Sequence, residues 1–335
     1  MRKKEKNKFV NYFVWSIYGI VFLILIGEIL ARYYFGLGTP PLSITHRTIE
    51  YMFKPNQDVY RFGNHFITNQ YGMRSESFNK NKSGNELRIM VFGDSVVNGG
   101  NLTDHANLAT TILKDKLSKI LDKNIVIGNI SAGSWGPGNW LAYVKEYGFF
   151  DADIIVLVIS SHDYADNPTF APLDKNTHPT EQPVLALVEG IERYLPRYLP
   201  QILSDNTSLA ESKSVSVTET DQLINKEKEV KKGLNDLKNF LELAKNNSSA
   251  VLVFQHNERS EIINNHPQEG NRLINQTCQQ LGIVPISLEP YFRRSIENGI
   301  NPYRDNDEIH PNEIGQFLIA EAILAKINIK KININ

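Results

Sequence analysis

The sequence predicts an α/β domain built as a three-layer sandwich, a central parallel sheet covered by helices on both faces, preceded by one transmembrane helix. Three observations lead there. Five short runs, LRIMVF (87–92), NIVIGNI (124–130), DIIVLVIS (153–160), SAVLVFQ (249–255) and GIVPISL (282–288), are apolar on both faces and rich in β-branched residues, as parallel strands buried on both sides must be. Helical patterns lie between and after them, among them NLATTILKDKLSKIL, LINKEKEVKKGLNDLKNFLELAKN and PNEIGQFLIAEAILAKI. Strand alternating with helix is the signature of a doubly wound sheet. The third observation is the run Phe9–Leu30, whose one charge is Glu28 near its far end.

That run is long enough to cross a hydrocarbon core, which takes about 20 apolar residues. Tyr12 and Trp15 lie near one end and Tyr33 and Tyr34 near the other, where amphipathic rings favour the interface. The apolar stretch exceeds that of a signal peptide and continues into ARYYFGLG, which offers no small-x-small cleavage site. Arg2, Lys3, Lys4, Lys6 and Lys8 precede it, and basic residues stay on the cytoplasmic side. The expected organisation is therefore a cytoplasmic basic tip (1–8), a transmembrane anchor (9–31) and an extracytoplasmic remainder. That remainder divides into a linker with an N-terminal extension (32–86) and the α/β domain (87–335).

Within the extension, RFGNHFITNQYGMRSESF alternates enough for a short hairpin or an edge addition. Within the domain, residues 164 to about 217 are Pro- and Ser-rich and read as an insertion: a lid, a binding loop or a disordered segment.

Composition excludes several classes. The chain has 335 residues, with 36 basic side chains against 37 acidic ones. No global field attracts nucleic acid. A single cysteine, Cys278, forms no internal disulfide and reads as a small buried apolar side chain. The eight histidines include no HExxH and no Cys/His cluster, so neither a metal nor a cofactor is expected.

Functional groups in a parallel sheet collect beyond the carboxyl ends of its strands. The first strand is followed by Gly93-Asp94-Ser95, where a glycine permits a tight turn into a helix and the serine projects above the sheet. Backbone N–H groups at such a turn can face a developing oxyanion. The last strand–helix junction, RDNDEIHPNEIGQ, carries Asp307 and His310 three residues apart, with Pro311 expected to open the terminal helix. A serine hydroxyl needs a general base, and the base needs an acceptor that sets its tautomer. His256, Glu258 and Arg259 follow the fourth strand; they could read a substrate's polar groups, but a solvated strand exit is the favoured reading.

VFGDS followed much later by DxxHPN resembles the SGNH/GDSL hydrolases. The resemblance covers roughly 87–330 and implies a flavodoxin-like sheet with a catalytic Ser95, His310 and Asp307. NISAGSWGPGN (129–139) is similar to the family's second block and implies that the N–H of Gly133, or of its neighbour Ser134, joins that of Ser95 in an oxyanion hole. The third block normally reads G-x-N-D, and here it is Ser160-Ser161-His162-Asp163. His162 stands where the family has its oxyanion asparagine. Four roles stay open for it: oxyanion donor, substrate ligand, second base, or a packed histidine bonded to Asp163 or Asp166. Asp94 and Asp163 are expected to support the site.

The resemblance implies a serine esterase removing acyl groups, O-acetyl foremost, from a cell-surface glycan or lipid through an acyl-enzyme. The alternatives are an O-acyltransferase in surface polysaccharide modification, for which the insertion would exclude water, and a non-catalytic scaffold in an envelope biosynthesis assembly. Expected partners are the acylated substrate and the membrane, with no nucleic acid.

Overall fold

The structure, a computed structural model, describes residues 2–194 and 219–327. The second half of the predicted insertion lies outside the described residues. Helix α1 runs Arg2–Tyr33, and within it Asn11–Tyr33 is long and apolar enough to cross a membrane. Its apolar side chains, Leu23 and Ile29 among them, stand exposed, which is consistent with a single-pass membrane anchor.

The extension forms two antiparallel hairpins where the sequence suggested one. Strand β1 (Ser43–His46) pairs with β2 (Glu50–Phe53), and β3 (Gln57–Arg61) with β4 (Asn64–Thr68). Four- and five-residue strands carry too short an alternation to stand out, so only the second pair, turning at Phe62-Gly63, was visible in advance.

The central sheet contains β5 (Glu86–Gly93), β6 (Asn124–Ser131), β7 (Ile154–Ser160), β8 (Ala250–His256) and β9 (Ile286–Ser287), all parallel, in the order β6-β5-β7-β8-β9. Every residue of β5 and β7 is buried, which explains their unbroken hydrophobicity. Alternate residues serve opposite layers. Met90, Phe92, Ile155 and Leu157 pack in one core with helix α4 (Pro137–Tyr147) and helix α6 (Glu219–Asn247). Ile89, Val91, Val156 and Val158 pack in the other with helix α3 (Ala109–Ile120) and helix α10 (Glu313–Lys326).

The fifth strand is shorter than predicted. Only Ile286 and Ser287 pair, and Val284 is 79% exposed. Pro285 has no N–H to give to a ladder.

The register brings Gly93 level with Ser131, and Ser160 level with His256. The loops that follow these strands therefore share one rim. The strand order reverses between β5 and β7, and a reversal of this kind opens a crevice at that rim.

Candidate active site

Gly93 ends β5, and Ser95 is the first residue of the short helix α2 (Ser95–Asn98). A Cβ on Gly93 would lie 2.3 Å from Val97 Cγ2 and 3.1 Å from Val158 O, so only glycine lets α2 sit down on the sheet. Trp140 Nε1–H donates to Gly93 O at 2.8 Å. Asp94 is buried, and its Oδ1 accepts the N–H of Val96 at 2.9 Å, capping α2.

A four-residue helix leaves its carbonyls without internal partners. Here side chains take them. Gln316 Nε2 donates to Val96 O at 2.7 Å, Asn129 Nδ2 to Val97 O at 3.0 Å and Arg74 Nη1 to Asn98 O at 2.5 Å. Arg74 also donates to Thr103 O at 2.6 Å, and Arg304 Nη2 to Gly99 O at 2.5 Å. Burial lowers the Arg74 guanidinium to about 9, assisted by the like charge of Arg304. The loop behind the serine is thus held by two cations and two amides that sequence reasoning missed. Each signals itself only through burial, which requires the fold.

Asp307 and His310 lie on the loop before α10, closed by the bridge between Tyr303 and Pro311 and by the Arg304 N–H to His310 O bond at 3.0 Å. The helix opens at Glu313 with Asn312 as its cap, so Pro311 serves the bridge and not the helix start. Asp307 Oδ1 accepts the backbone N–H groups of Ile309 and His310, both at 2.9 Å. Its Oδ2 lies 2.7 Å from His310 Nδ1. Burial pushes the Asp307 carboxyl upward, but those N–H groups and the His310 ring outweigh it and hold it below the usual carboxylate range. With the Nδ1 proton directed at a carboxylate, Nε2 is the acceptor nitrogen. It lies 2.9 Å from Ser95 Oγ, across 215 residues of chain.

Gly133 follows β6 on the same rim. The Tyr51 hydroxyl donates to Gly133 O, and Tyr51 Oη is also the nearest atom to a Cβ built there, at 3.6 Å. Ser134 beside it adopts a positive φ of 55°. The Ser95 N–H, at the first position of its helix, has no intrahelical partner. Ser95 and Gly133 line a common cleft with Tyr51, Asn98, His178 and Arg193.

His162 stands over a carboxylate cluster. Its Nε2 lies 3.4 Å from both Asp94 Oδ2 and Asp163 Oδ1, and its Nδ1 lies 3.5 Å from Glu258 Oε1. Burial pulls the imidazole down, but its contact with Asp94 and the charges of Asp163, Asp94 and Asp166 raise it to about 10. The carboxylates around the ring thus favour its protonated form. Asp163, fully buried, accepts the Ser160 N–H at 2.7 Å, and burial together with the Asp94 charge drives its carboxyl well up. Ligand atoms of Asp94, His162 and Asp163 lie within 4.8 Å of one another and are the described group that could converge on a metal ion.

The fourth strand does not end in solvent as expected. His256 is fully buried, and its Nε2 lies 2.8 Å from Ile309 O, beside the Asp307–His310 loop. Glu258 faces His162, and the Arg259 N–H donates to Glu308 O at 2.7 Å. A charged strand exit looks the same in sequence whether it meets water or another loop.

No family model matches this chain, and no curated protein sequence does. Solved structures match it distantly. One is a member of the lipolytic protein G-D-S-L family from Veillonella parvula DSM 2008, at 12% identity and TM-score 0.43 over 72% of this chain and 99% of that one. Another is a single-substitution variant of Axe2, an acetyl xylan esterase from Geobacillus stearothermophilus, at 14% identity and TM-score 0.43 over 75% and 97%. A lipase/acylhydrolase from Enterococcus faecalis matches at 12% identity and TM-score 0.42 over 72% and 95%.

Proposed function

We propose that this chain is a membrane-anchored serine esterase of the SGNH/GDSL type, acting on ester-linked acyl groups, O-acetyl foremost, of a cell-surface glycan or lipid. One observation carries the reading: Ser95 Oγ, the His310 ring and the Asp307 carboxylate form a continuous hydrogen-bonded line of 2.9 and 2.7 Å. The sheet order, with the second strand outside the first and the remaining three on its other side, has the flavodoxin-like sequence of strands and supports the same reading.

In the reaction, His310 Nε2 takes the proton of Ser95 as Oγ attacks the ester carbonyl carbon. The carbonyl π pair moves onto oxygen, where the N–H groups of Ser95 and Gly133 receive it. His162, whose ring nitrogens face Asp94, Asp163 and Glu258, is assigned a charge role beside Asp94, the neighbour of Ser95, and not a hydrogen bond to the oxyanion. The intermediate collapses, and His310 delivers its proton to the departing alcohol. Water then repeats the sequence on the acyl-enzyme, releasing the acid. Asp307 keeps the His310 proton on Nδ1 and steadies the imidazolium that forms.

Transfer to a sugar hydroxyl is the second reading. Thr177, His178, Pro179 and Arg193 of the predicted insertion line the cleft beside Ser95, and shielding the acyl-enzyme from water favours an alcohol acceptor. Removing the insertion and comparing transfer with hydrolysis tests this; an unchanged ratio counts against the insertion acting as a lid.

The proposal as a whole is tested by treating the full chain in detergent micelles with a fluorophosphonate probe and mapping the labelled peptide. Labelling at Ser95 that disappears in His310→Ala is the expected result. A folded protein that takes no label points to the scaffold role instead.

A further inference from the structure

The sequence treats the anchor and the insertion as separate features, yet the structure joins them. Glu28, the one acidic residue in the apolar part of α1, accepts the N–H groups of Ala186 at 2.9 Å and Leu187 at 3.0 Å. It also pairs with Arg32 at 2.6 Å. These residues open helix α5 (Ala186–Glu189) of the insertion. At the neighbouring turn of α1, a Cβ on Gly27 would meet Leu187 Cδ1 at 3.1 Å. The glycine is thus the gap in which the leucine packs.

The depth of this contact is informative. Gly27 lies six residues before the end of the Asn11–Tyr33 span, which at 1.5 Å per residue is about 9 Å along the helix. An amphipathic helix seated in a membrane interface lies about 5–10 Å deep. The residues around α5 suit such a seat. Val184 is 90% exposed and Ile191 57%, with Leu185 and Val188 also open. Four large aliphatic side chains within eight residues, bare to water and docked on a lipid-facing helix, continue that helix's own apolar surface.

Glu28 fits as well. A carboxylate near the end of a membrane span needs its oxygens satisfied from within the protein. The Ala186 and Leu187 N–H groups and Arg32 supply those partners.

We propose that residues 184–191 are a second membrane-contact element, inserted into the outer-leaflet interface beside α1, with the acyl chains of the lipid as its partner. On the buried side of the segment, Glu189 is held by an ion pair with Arg61 and by the Gly38 N–H at 2.7 Å, so the seat is tied to the extension. The proposal rests on α1 crossing the bilayer and is independent of any reaction at Ser95.

The test uses the full chain in vesicles of phosphatidylcholine and phosphatidylglycerol, carrying an environment-sensitive fluorophore at Val184→Cys or Val188→Cys. Cys278 is buried, so the unsubstituted chain reports background labelling. Leu23→Cys, on α1, and Val284→Cys, before β9, serve as lipid and water references. Lipid carrying a nitroxide high on its acyl chain should quench labels at 184 and 188 at least about threefold more than the label at 284, and aqueous iodide should reach them correspondingly less. Labels at 184 and 188 as open to iodide as the one at 284, with 23 still lipid-quenched, overturn the proposal and leave the anchor standing. If iodide also reaches 23, anchor and proposal fall together.

Discussion

Tyr51, on the second strand of the N-terminal extension, gives its hydroxyl hydrogen to the carbonyl of Gly133 on the loop after β6, 82 residues along the chain. The extension is thereby part of the candidate site. It sets the peptide that follows Gly133 and, with Trp135 Nε1 donating to Tyr51 O at 3.1 Å, locks the loop to β2. Tyr51→Phe removes the hydroxyl partner of a part-buried carbonyl, at a cost of about 1 kcal/mol. The expected result is a drop of about tenfold in kcat on a small acetyl ester with KM little changed, because a loosened oxyanion donor acts in the transition state. An equal loss of kcat and binding would mark Tyr51 as a packing residue only.

Asp307 links activity to acid stability. Its carboxyl is held below its ordinary value of 3.8, so its contribution to folding is present above that value and drains away as pH falls through the lower folded one. Asp307→Asn should therefore be less stable than the wild type in urea at neutral pH, with the gap closing in strong acid. Turnover should fall by about 10⁴, the cost of a base left in the wrong tautomer.

The sign reverses for His162. Its imidazole is raised from 6.5 to about 10, so the stability it lends is complete below 6.5 and is lost as pH rises through 10. Urea midpoints measured from pH 6.5 to 10 should decline for the wild type and stay flatter for His162→Gln. The substitution should also cost about 10² in kcat if the positive charge faces the oxyanion. Wild-type turnover would remove His162 from the reaction.

Arg61 and Glu189 form a bidentate ion pair with side chains 0% and 2% exposed. Removing one partner strands a buried charge, worth about 3–5 kcal/mol. Glu189→Gln should lower the unfolding midpoint by that measure and expose the segment before residue 194 to protease. Limited proteolysis with mass mapping reads the second effect, and cleavage unchanged from wild type would mean the insertion is held by other contacts.

Much of the architecture was legible because its causes are local. Strands buried on both faces must be apolar throughout, so β5 and β7 announced themselves by composition. The glycine–aspartate–serine turn and the Asp307–His310 pair each close within four residues, so both were visible as short motifs, and their proposed roles came from the resemblance that the two motifs carry together. The weak points were also local in origin. Pro285 shortened β9, and the four-residue strands of the first hairpin gave no visible period.

What the sequence by itself determined, then, is the order of layers, the apolar helix at the N-terminus and the residue types at each strand end, all consequences of short-range pattern. Tertiary structure alone decided which of those residues meet. The approach of Ser95 to His310, the grip of Arg74, Arg304, Asn129 and Gln316 on the loop behind the serine, the carboxylates around His162 and the docking of Leu187 at Gly27 all join segments far apart in the chain. Such contacts depend on how the layers stack, and a buried hydrogen bond leaves no mark in the sequence beyond a polar residue where either a core or a surface would do.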